Sequence, residues 1–393
     1  MVAIAGMRGT GDWATDERPK NFREMILWRN PNGSAPLTGL MSKMKSESVD
    51  DPEFNWWEEE LNAVRVQVGG TGLSATSTAL DLASGGLDLV PGDILLVEKT
   101  ETATYDNELL EVSSITSDTA IVVKRGAAGT TAAATGTNAY ITKIGNTYEE
   151  GSTSPDASTR NPTKKTNYCQ IFKTAYEITE TAKRTRTRTG DPLKNDRKRK
   201  MFDHSAALEL AWMFGVAYED TSGTKPKRFT GGLRSFISTN VKVYTTSPTE
   251  NTFLDDVYSV FDYDAGTAGT ERIVFAGNGF LNELNKLAKD SSSTRINFDG
   301  VIKLYGMQLQ RWVLPQGTLY VRTHPLMNTH ARFKYSAFII DPSALVYRYM
   351  RDTQPKNNIQ ANDADEEKGM WLTEAGLEIR HEKTMGYLGN FVI

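Results

Sequence analysis

The chain has 393 residues, of which 39% are hydrophobic and 24% are charged, and its formal net charge is −4. This composition excludes a disordered chain and provides for two or three hydrophobic cores, while the slightly acidic balance excludes an overall nucleic-acid footprint. Its single cysteine, Cys169, excludes an internal disulfide framework. We expect neither a secretory signal nor a membrane partner, because no apolar run reaches about 18 residues.

The sequence predicts an N-terminal arm followed by the first strand of a two-stranded extension, whose second strand lies about 100 residues later. Glycine and proline break residues 1–53 so often that we expect an arm without a core of its own. Residues 54–69 alternate like a strand, and residues 167–180 begin with a second strand pattern, NYCQIF. Since the ends of the intervening segment must close on each other, we expect NYCQIF to pair with residues 54–61.

Between these two strands, residues 70–146 contain repeated short β patterns and almost no helical signal. They predict a compact all-β insertion domain. Its strand patterns lie at residues 94–97, 109–115, 120–124 and 140–144. Residues 147–166 are rich in Ser, Thr, Asp and Pro and are predicted to be a linker.

A long helix is predicted between Asp191 and Gly215. Asp191 is a suitable N-cap, Pro192 fits the first turn, and Gly215 is a suitable stop. Nothing between them breaks a helix. Because its second half is apolar almost all round, we expect burial on every side, with Leu208, Trp212 and Phe214 in the core.

The start of this helix and the residues before it carry the only strong basic cluster of the chain. Its members are Arg184, Arg186, Arg188, Arg197, Lys198, Arg199 and Lys200. The cluster has two interpretations. It is a solvated or inter-subunit charged face with scattered acidic partners, or it lies near nucleic-acid phosphate and acts without reading sequence.

The remainder predicts an α+β fold. Residues 181–232 complete a domain around the long helix, and residues 233–349 form a second domain with a strand at 272–276 and a helix at 280–290. We expect residues 350–393 to return to the first sheet, because Leu372, Leu377, Ile379 and His381 alternate like a strand.

Catalytic signatures are absent from the sequence, which has no Walker loop, no G-x-S-x-G elbow and no H-E-x-x-H motif. We therefore predict no enzymatic activity, no cofactor and no metal site. His324 and His330 are expected at the surface, and His204 in a hydrogen-bonded structural role within the helix. Cys169 is expected to be a small buried hydrophobe.

Several phrases, in order along the chain, resemble one protein family. They are SAPLTGLMSK, FNWWEEEL, NYCQIFKTAYEITETA, ELAWMFG, FTGGLRSFI, VIKLYGMQLQRWVLP, AFIIDPSALVYRYM and GMWLTEAGLEIRHE. Together they resemble the major capsid proteins of tailed bacteriophages with the HK-97-like fold. The resemblance covers residues 22–382 except the β insertion.

The resemblance implies a structural subunit that self-assembles through pentamers and hexamers into an icosahedral virion shell around double-stranded DNA. It implies an N-arm, an extended two-stranded loop carrying the insertion, a peripheral domain with a spine helix, and an axial domain. Portal, scaffolding and decoration proteins are implied partners, and the host cytoplasm is the implied place of assembly. Removing residues 1–45 is then expected to leave a folded but assembly-poor protein.

An alternative of a different class is a host-binding tail or fibre protein. The β-rich insertion and the Ser, Thr and Gly-rich loops favour it, and it predicts elongated trimers. The long buried helix argues against it.

Overall fold

The computed structural model describes residues 36–41, 45–59, 64–70, 72–99, 107–155, 157, 159, 161–187, 189–263, 270–290, 298–304 and 307–392. They divide into two compact units. The first contains the described residues up to Trp56 and those of Lys165–Ile393, and the second is Trp57–Lys164. Residues 1–35 of the predicted arm lie outside the described residues.

The helices of the described residues are α1 (Pro36–Met41), α2 (Glu180–Arg184), α3 (Pro192–Phe214), α4 (Leu233–Phe236), α5 (Glu250–Val257) and α6 (Asn278–Asp290). The strands are β1 (Ser46–Ser48), β2 (Glu53–Glu58), β3 (Arg65–Gln67), β4 (Ala79–Asp81), β5 (Asp93–Val97), β6 (Leu109–Ser117), β7 (Ala120–Lys124), β8 (Tyr140–Asn146), β9 (Thr163–Tyr168), β10 (Gln170–Thr179), β11 (Tyr218–Asp220), β12 (Lys227–Phe229), β13 (Val241–Val243), β14 (Glu271–Ala276), β15 (Phe298–Leu304), β16 (Met307–Val313), β17 (Thr318–Thr323), β18 (Ala337–Ile340), β19 (Leu345–Lys356), β20 (Glu366–Ile379) and β21 (Gly386–Gly389).

Two mixed sheets organise the first unit. The smaller has the strand order β1-β19-β20-β10, in which β1 runs parallel to β19 and the other pairs are antiparallel. The larger has seven strands in the order β13-β21-β18-β14-β17-β16-β15. Helix α3 packs on β10 and β20, so one apolar cluster joins the long helix to the smaller sheet.

The predicted pairing of NYCQIF is right for its first residues and wrong from Gln170 onward. Strand β2 pairs with β9, which ends at Tyr168. Strand β10 instead pairs with β20 over ten residues. The pairing with β20 coincides with burial, because Phe172 of β10 joins the core cluster that contains Leu208.

Helix α3 has the predicted bounds and the predicted cap. The Asp191 carboxylate accepts hydrogen bonds from the amides of Leu193 and Lys194. The prediction that the second half of α3 is buried on every side is wrong, because Leu210 is 39% exposed while Trp212 is 2% exposed. The helix covers the sheet with one face only, and the opposite face of its second half remains accessible.

The predicted arm boundary also requires correction. Residues 36–41 form a helix, and Leu37, Leu40 and Met41 are at most 2% exposed within the main core cluster. Their apolar side chains find cover on α3 and β19, which the sequence alone does not place nearby. The segment that follows continues as β1 in the smaller sheet.

In the second half of the chain, β14 and α6 match the predicted strand and helix, and α5 was not predicted. Residues 350–393 do not return to one sheet. Strand β20 lies in the smaller sheet, whereas β21 lies between β13 and β18 of the larger one. His381 has a positive φ of 50° and lies beyond the end of β20, so it does not continue the predicted alternation.

The second unit contains a six-stranded antiparallel sheet with the order β3-β8-β5-β6-β7-β4. A bridge between Val68 and Leu82 joins its two outer strands, so the sheet closes on itself as a small barrel. Closure satisfies edges that would otherwise be open to aggregation. All four predicted strands are present, but the barrel begins at β3, before residue 70, and β9 occupies the end of the predicted linker.

Candidate functional site

The exposed N-terminal half of α3 carries four members of the predicted basic cluster, Arg197, Lys198, Arg199 and Lys200, together with Lys194. Its cations have acidic neighbours one turn away: Lys194 lies 3.8 Å from Asp191, and Arg199 lies 3.7 Å from Asp196. A third pair joins Lys200 to Asp203 at 3.3 Å. Because these side chains are 40–85% exposed, each pair contributes less than about 1 kcal/mol to stability.

Two further members of the cluster contact the neighbouring elements. The Arg197 guanidinium lies 5.4 Å from the Trp371 ring centre, and its carbonyl accepts a 3.3 Å hydrogen bond from Trp371 Nε1. Arg184 lies 3.7 Å from Glu180 and is 83% exposed on its side chain. Arg186 is exposed, whereas Arg188 lies outside the described residues. The cluster is thus an accessible basic surface with local acidic partners.

The buried half of α3 holds the other predicted residues. Leu208 and Trp212 are 3% and 2% exposed, and Trp212 contacts Tyr347 edge to face at 5.6 Å. Phe214 is only partly buried and stacks on Phe333 with ring centres 4.0 Å apart. The helix therefore brings the first two into the core and places the third at its margin.

A buried carboxylate, Glu209, lies within this apolar half and was not predicted. It is 0% exposed and accepts a 2.7 Å hydrogen bond from His324 Nε2. His324, which was expected at the surface, is also 0% exposed, because it follows β17 directly and lies beneath α3. A charged residue inside an otherwise apolar helical stretch was the available sequence signal.

The other two residues singled out for their chemistry have structural roles. His204 is 1% exposed and contacts Thr174 Oγ1 at 3.1 Å and Thr373 Oγ1 at 2.8 Å. This agrees with the expected hydrogen-bonded role. Cys169 is 1% exposed, as expected, and burial raises the pKa of its thiol to about 12. His330 lies exposed at the surface, stacked on Phe333.

A charge network joins the N-terminal segment to the smaller sheet. Arg348 binds Glu47 of β1 on one side and the fully buried Glu378 of β20 on the other. Arg380 makes a second contact with Glu378 at 2.5 Å. The pKa of Glu47 is lowered, first by its hydrogen bond to Lys45.

Within the described ranges, no group of three or more His, Cys, Asp or Glu side chains is placed to hold a metal ion. Of the helices that the structure describes, none combines the length and apolarity needed to cross a bilayer. The prominent features of the first unit are the basic surface of α3 and the buried hydrogen bonds and ion pairs of Glu209 and Glu378.

A family model described as "SU10 major capsid protein" matches residues 6–391. The chain belongs to the SU10 major capsid protein family. It is therefore a phage major capsid protein, and this membership selects the shell subunit over the tail or fibre alternative. A curated relative, the major capsid protein of Pseudomonas phage PaMx41, is 25% identical over 358 residues, covering 89% of this chain and 83% of the relative.

A solved phage structure shows that this family member has an HK-97-like fold. A structure from Mycobacterium phage Adephagia matches with a TM-score of 0.50 at 9% identity, covering 99% of both chains. The capsid of a native GTA particle matches with a TM-score of 0.48 at 8% identity, covering 99% of this chain and 100% of the other.

Proposed function

We propose that copies of this chain assemble through pentamers and hexamers into an icosahedral shell that encloses double-stranded DNA. The observation that carries the proposal is the match of the capsid family model to residues 6–391. The host cytoplasm is the proposed place of assembly, and portal, scaffolding and decoration proteins are proposed partners. The chain acts structurally, without a catalytic step.

The paired strands β2 and β9 support an interlocking role. A pair of strands on its own is marginally stable in water, and Trp57 on β2 is 64% exposed. Cover from a neighbouring copy would remove this apolar surface from water. We propose that β2 and β9 are the extended loop, and that residues before Pro36 are the arm that contacts adjacent subunits.

The remaining segments take the roles that the resemblance implies. Helix α3 and the smaller sheet form the proposed peripheral domain. The seven-stranded sheet is the core of the proposed axial domain, and the tips of the axial domains are proposed to meet at the centres of the rings. Rings of one chain type need heterologous contacts, so complementary surfaces are required.

Electron microscopy of the purified full-length chain, after sizing by light scattering, tests the proposal. Closed shells, or rings of five and six, are the expected result. A stable monomer or trimer at high concentration, which persists when a co-expressed scaffolding protein is supplied, would contradict it.

The basic surface on α3 is proposed to lie at an inter-subunit contact or on the inner face of the shell. Reversing two of its charges, K198E and R199E, is expected to lower the yield of shells or their DNA content. The matched control is K225E, which reverses an exposed charge elsewhere on the same unit. Equal shell yield and equal DNA content in the two variants would contradict the assignment.

A further inference from the structure

The Glu209 carboxylate has an unusual set of partners. Its Oε1 atom accepts hydrogen bonds from the Leu37 amide at 2.6 Å and from His324 Nε2 at 2.7 Å. Its Oε2 atom accepts from the Thr38 amide at 2.7 Å and from the Thr38 hydroxyl at 2.6 Å. Leu37 and Thr38 lie in the first turn of α1, more than 170 positions before Glu209 in the chain.

The first turn of α1 finds hydrogen-bond acceptors in this carboxylate. The amides of a first helical turn need acceptors, and an N-cap side chain normally supplies one. The residue before α1 is Ala35, whose side chain accepts nothing. A six-residue helix is also too short to persist alone in water. Glu209 therefore does from α3 what an N-cap does locally.

The surroundings of Glu209 fix the orientation of its carboxylate. His324 Nδ1 has no hydrogen-bond partner among the described residues, so the contact of Nε2 with Glu209 holds the ring. Arg322 on β17 interacts electrostatically with the same carboxylate. Burial lowers the pKa of Arg322, and the negative charge of Glu209 opposes this change. Four hydrogen-bond donors thus hold one buried carboxylate.

We infer that Glu209 is the positioning residue of the N-terminal segment. Its carboxylate holds the first turn of α1 on α3 and thereby fixes the position of Pro36 on the subunit. The apolar contacts of Leu37 and Leu40 stabilise α1 against the core but do not fix its orientation, because apolar packing is not directional. The hydrogen bonds to Glu209 set the orientation of α1. The consequence for assembly rests on the proposed function, in which the arm contacts a second copy of this chain.

Hydrogen–deuterium exchange of the unassembled full-length subunit tests the anchor. The variant E209Q keeps one acceptor oxygen but turns an NH₂ group toward donors of α1. The control is H204Q, which alters another buried polar residue of α3 that contacts β10 and β20 instead of α1. We expect exchange at residues 37–41 to rise at least tenfold in E209Q only. Unchanged protection there, or an equal rise throughout both variants, would overturn the inference.

Shell yield, counted by electron microscopy, tests the consequence for assembly. E209Q is expected to give at least fivefold fewer closed shells than H204Q at equal soluble protein. Normal shells from E209Q despite local release of α1 would overturn that consequence. If the wild-type chain forms no shells, the proposed function fails, and the exchange result still decides whether Glu209 anchors α1.

Discussion

The buried side chains of α3 lie along one stripe of the helix, at residues 204, 208, 209, 212 and 213. Spacings of about four residues keep such positions on one face. Within this stripe, His204 and Glu209 reach different elements, while the apolar members pack in the main cluster. Each residue therefore makes a separable contribution to the subunit.

Replacing Trp212 by Ala is expected to destabilise the subunit by about 3–5 kcal/mol, because the loss of a fully buried indole leaves a cavity. The control is L210A on the same helix, at a position that is 39% exposed, with an expected cost below about 1 kcal/mol. Denaturant titration measures both values. Equal losses in the two variants would show that Trp212 does not anchor α3 in the core.

His204 predicts a pH dependence of stability. Burial lowers the pKa of His204 in the folded state, whereas the unfolded chain has a value of about 6.5. The unfolded state therefore binds more protons as the pH falls below about 6.5, and stability is lost in that direction. Between pH 7.5 and 5, H204Q should lose less of its free energy of unfolding than the wild-type chain. Parallel losses in both chains would contradict this assignment.

At the scale of elements, the end of α3 is closed by backbone from the segment that follows. The Gly232 amide donates to the Gly215 carbonyl at 2.9 Å, so the chain turns back onto the helix end. A Cβ atom on Gly232 would lie 2.6 Å from the carbonyl oxygens of both Ala211 and Trp212. Glycine is needed at position 232 for this close approach and not for its backbone conformation, because a φ of −106° is accessible to any residue.

The variant G232A is expected to cost about 1–3 kcal/mol in the free energy of unfolding, because its methyl group must displace the end of α3. In the control G223A, the added Cβ meets only the Lys225 carbonyl at 3.6 Å, an ordinary contact. Thermal unfolding compares the two. A melting temperature of G232A equal to that of G223A would show that the turn relaxes without cost.

The barrel illustrates which features of an element are local. Its strands β5 to β8 follow alternating and turn patterns that the sequence displays. The closure of the barrel depends on a short bridge between Val68 and Leu82. A buried ion pair also joins Glu108 to Arg125 at 2.6 Å. Desolvation opposes ionisation of Glu108, yet the hydrogen bond to Arg125 and two backbone amides lower its pKa. These contacts join segments that only the folded barrel brings together.

At the scale of the whole molecule, the arm ends before α1. A chain that begins at residue 36 retains the three buried apolar side chains of α1 and the donors to Glu209. A chain that begins at residue 46 loses both. Removing residues 1–45, which is expected to leave a folded but assembly-poor protein, therefore also removes contacts of the main core.

We expect the chain that begins at residue 36 to unfold near the wild-type temperature but to form few shells. The chain that begins at residue 46 should lose at least about 4 kcal/mol, because apolar area is exposed and a buried carboxylate loses three donors. Circular dichroism and electron microscopy measure the two effects. Similar melting curves for both truncations would contradict the structural role of α1.

The amino-acid sequence by itself determined what depends on neighbours along the chain. The bounds and cap of α3 follow from Asp191, Pro192 and an unbroken helical stretch, and four barrel strands follow from alternation and turns. The order of family phrases was sufficient for the fold class and the capsid function, which the family match confirmed. The helix and the strands arise from propensity and periodicity, which act over a few residues, whereas the fold class and the function came from the resemblance.

The tertiary structure alone decided which distant segments meet. The pairing of β10 with β20, the burial of α1 and the placement of Glu209 against its first turn all join residues far apart in sequence. Likewise, Leu210 is exposed because α3 covers the sheet with one face only. Burial and partner choice depend on the whole packed surface, so they follow from the three-dimensional arrangement and not from any local pattern.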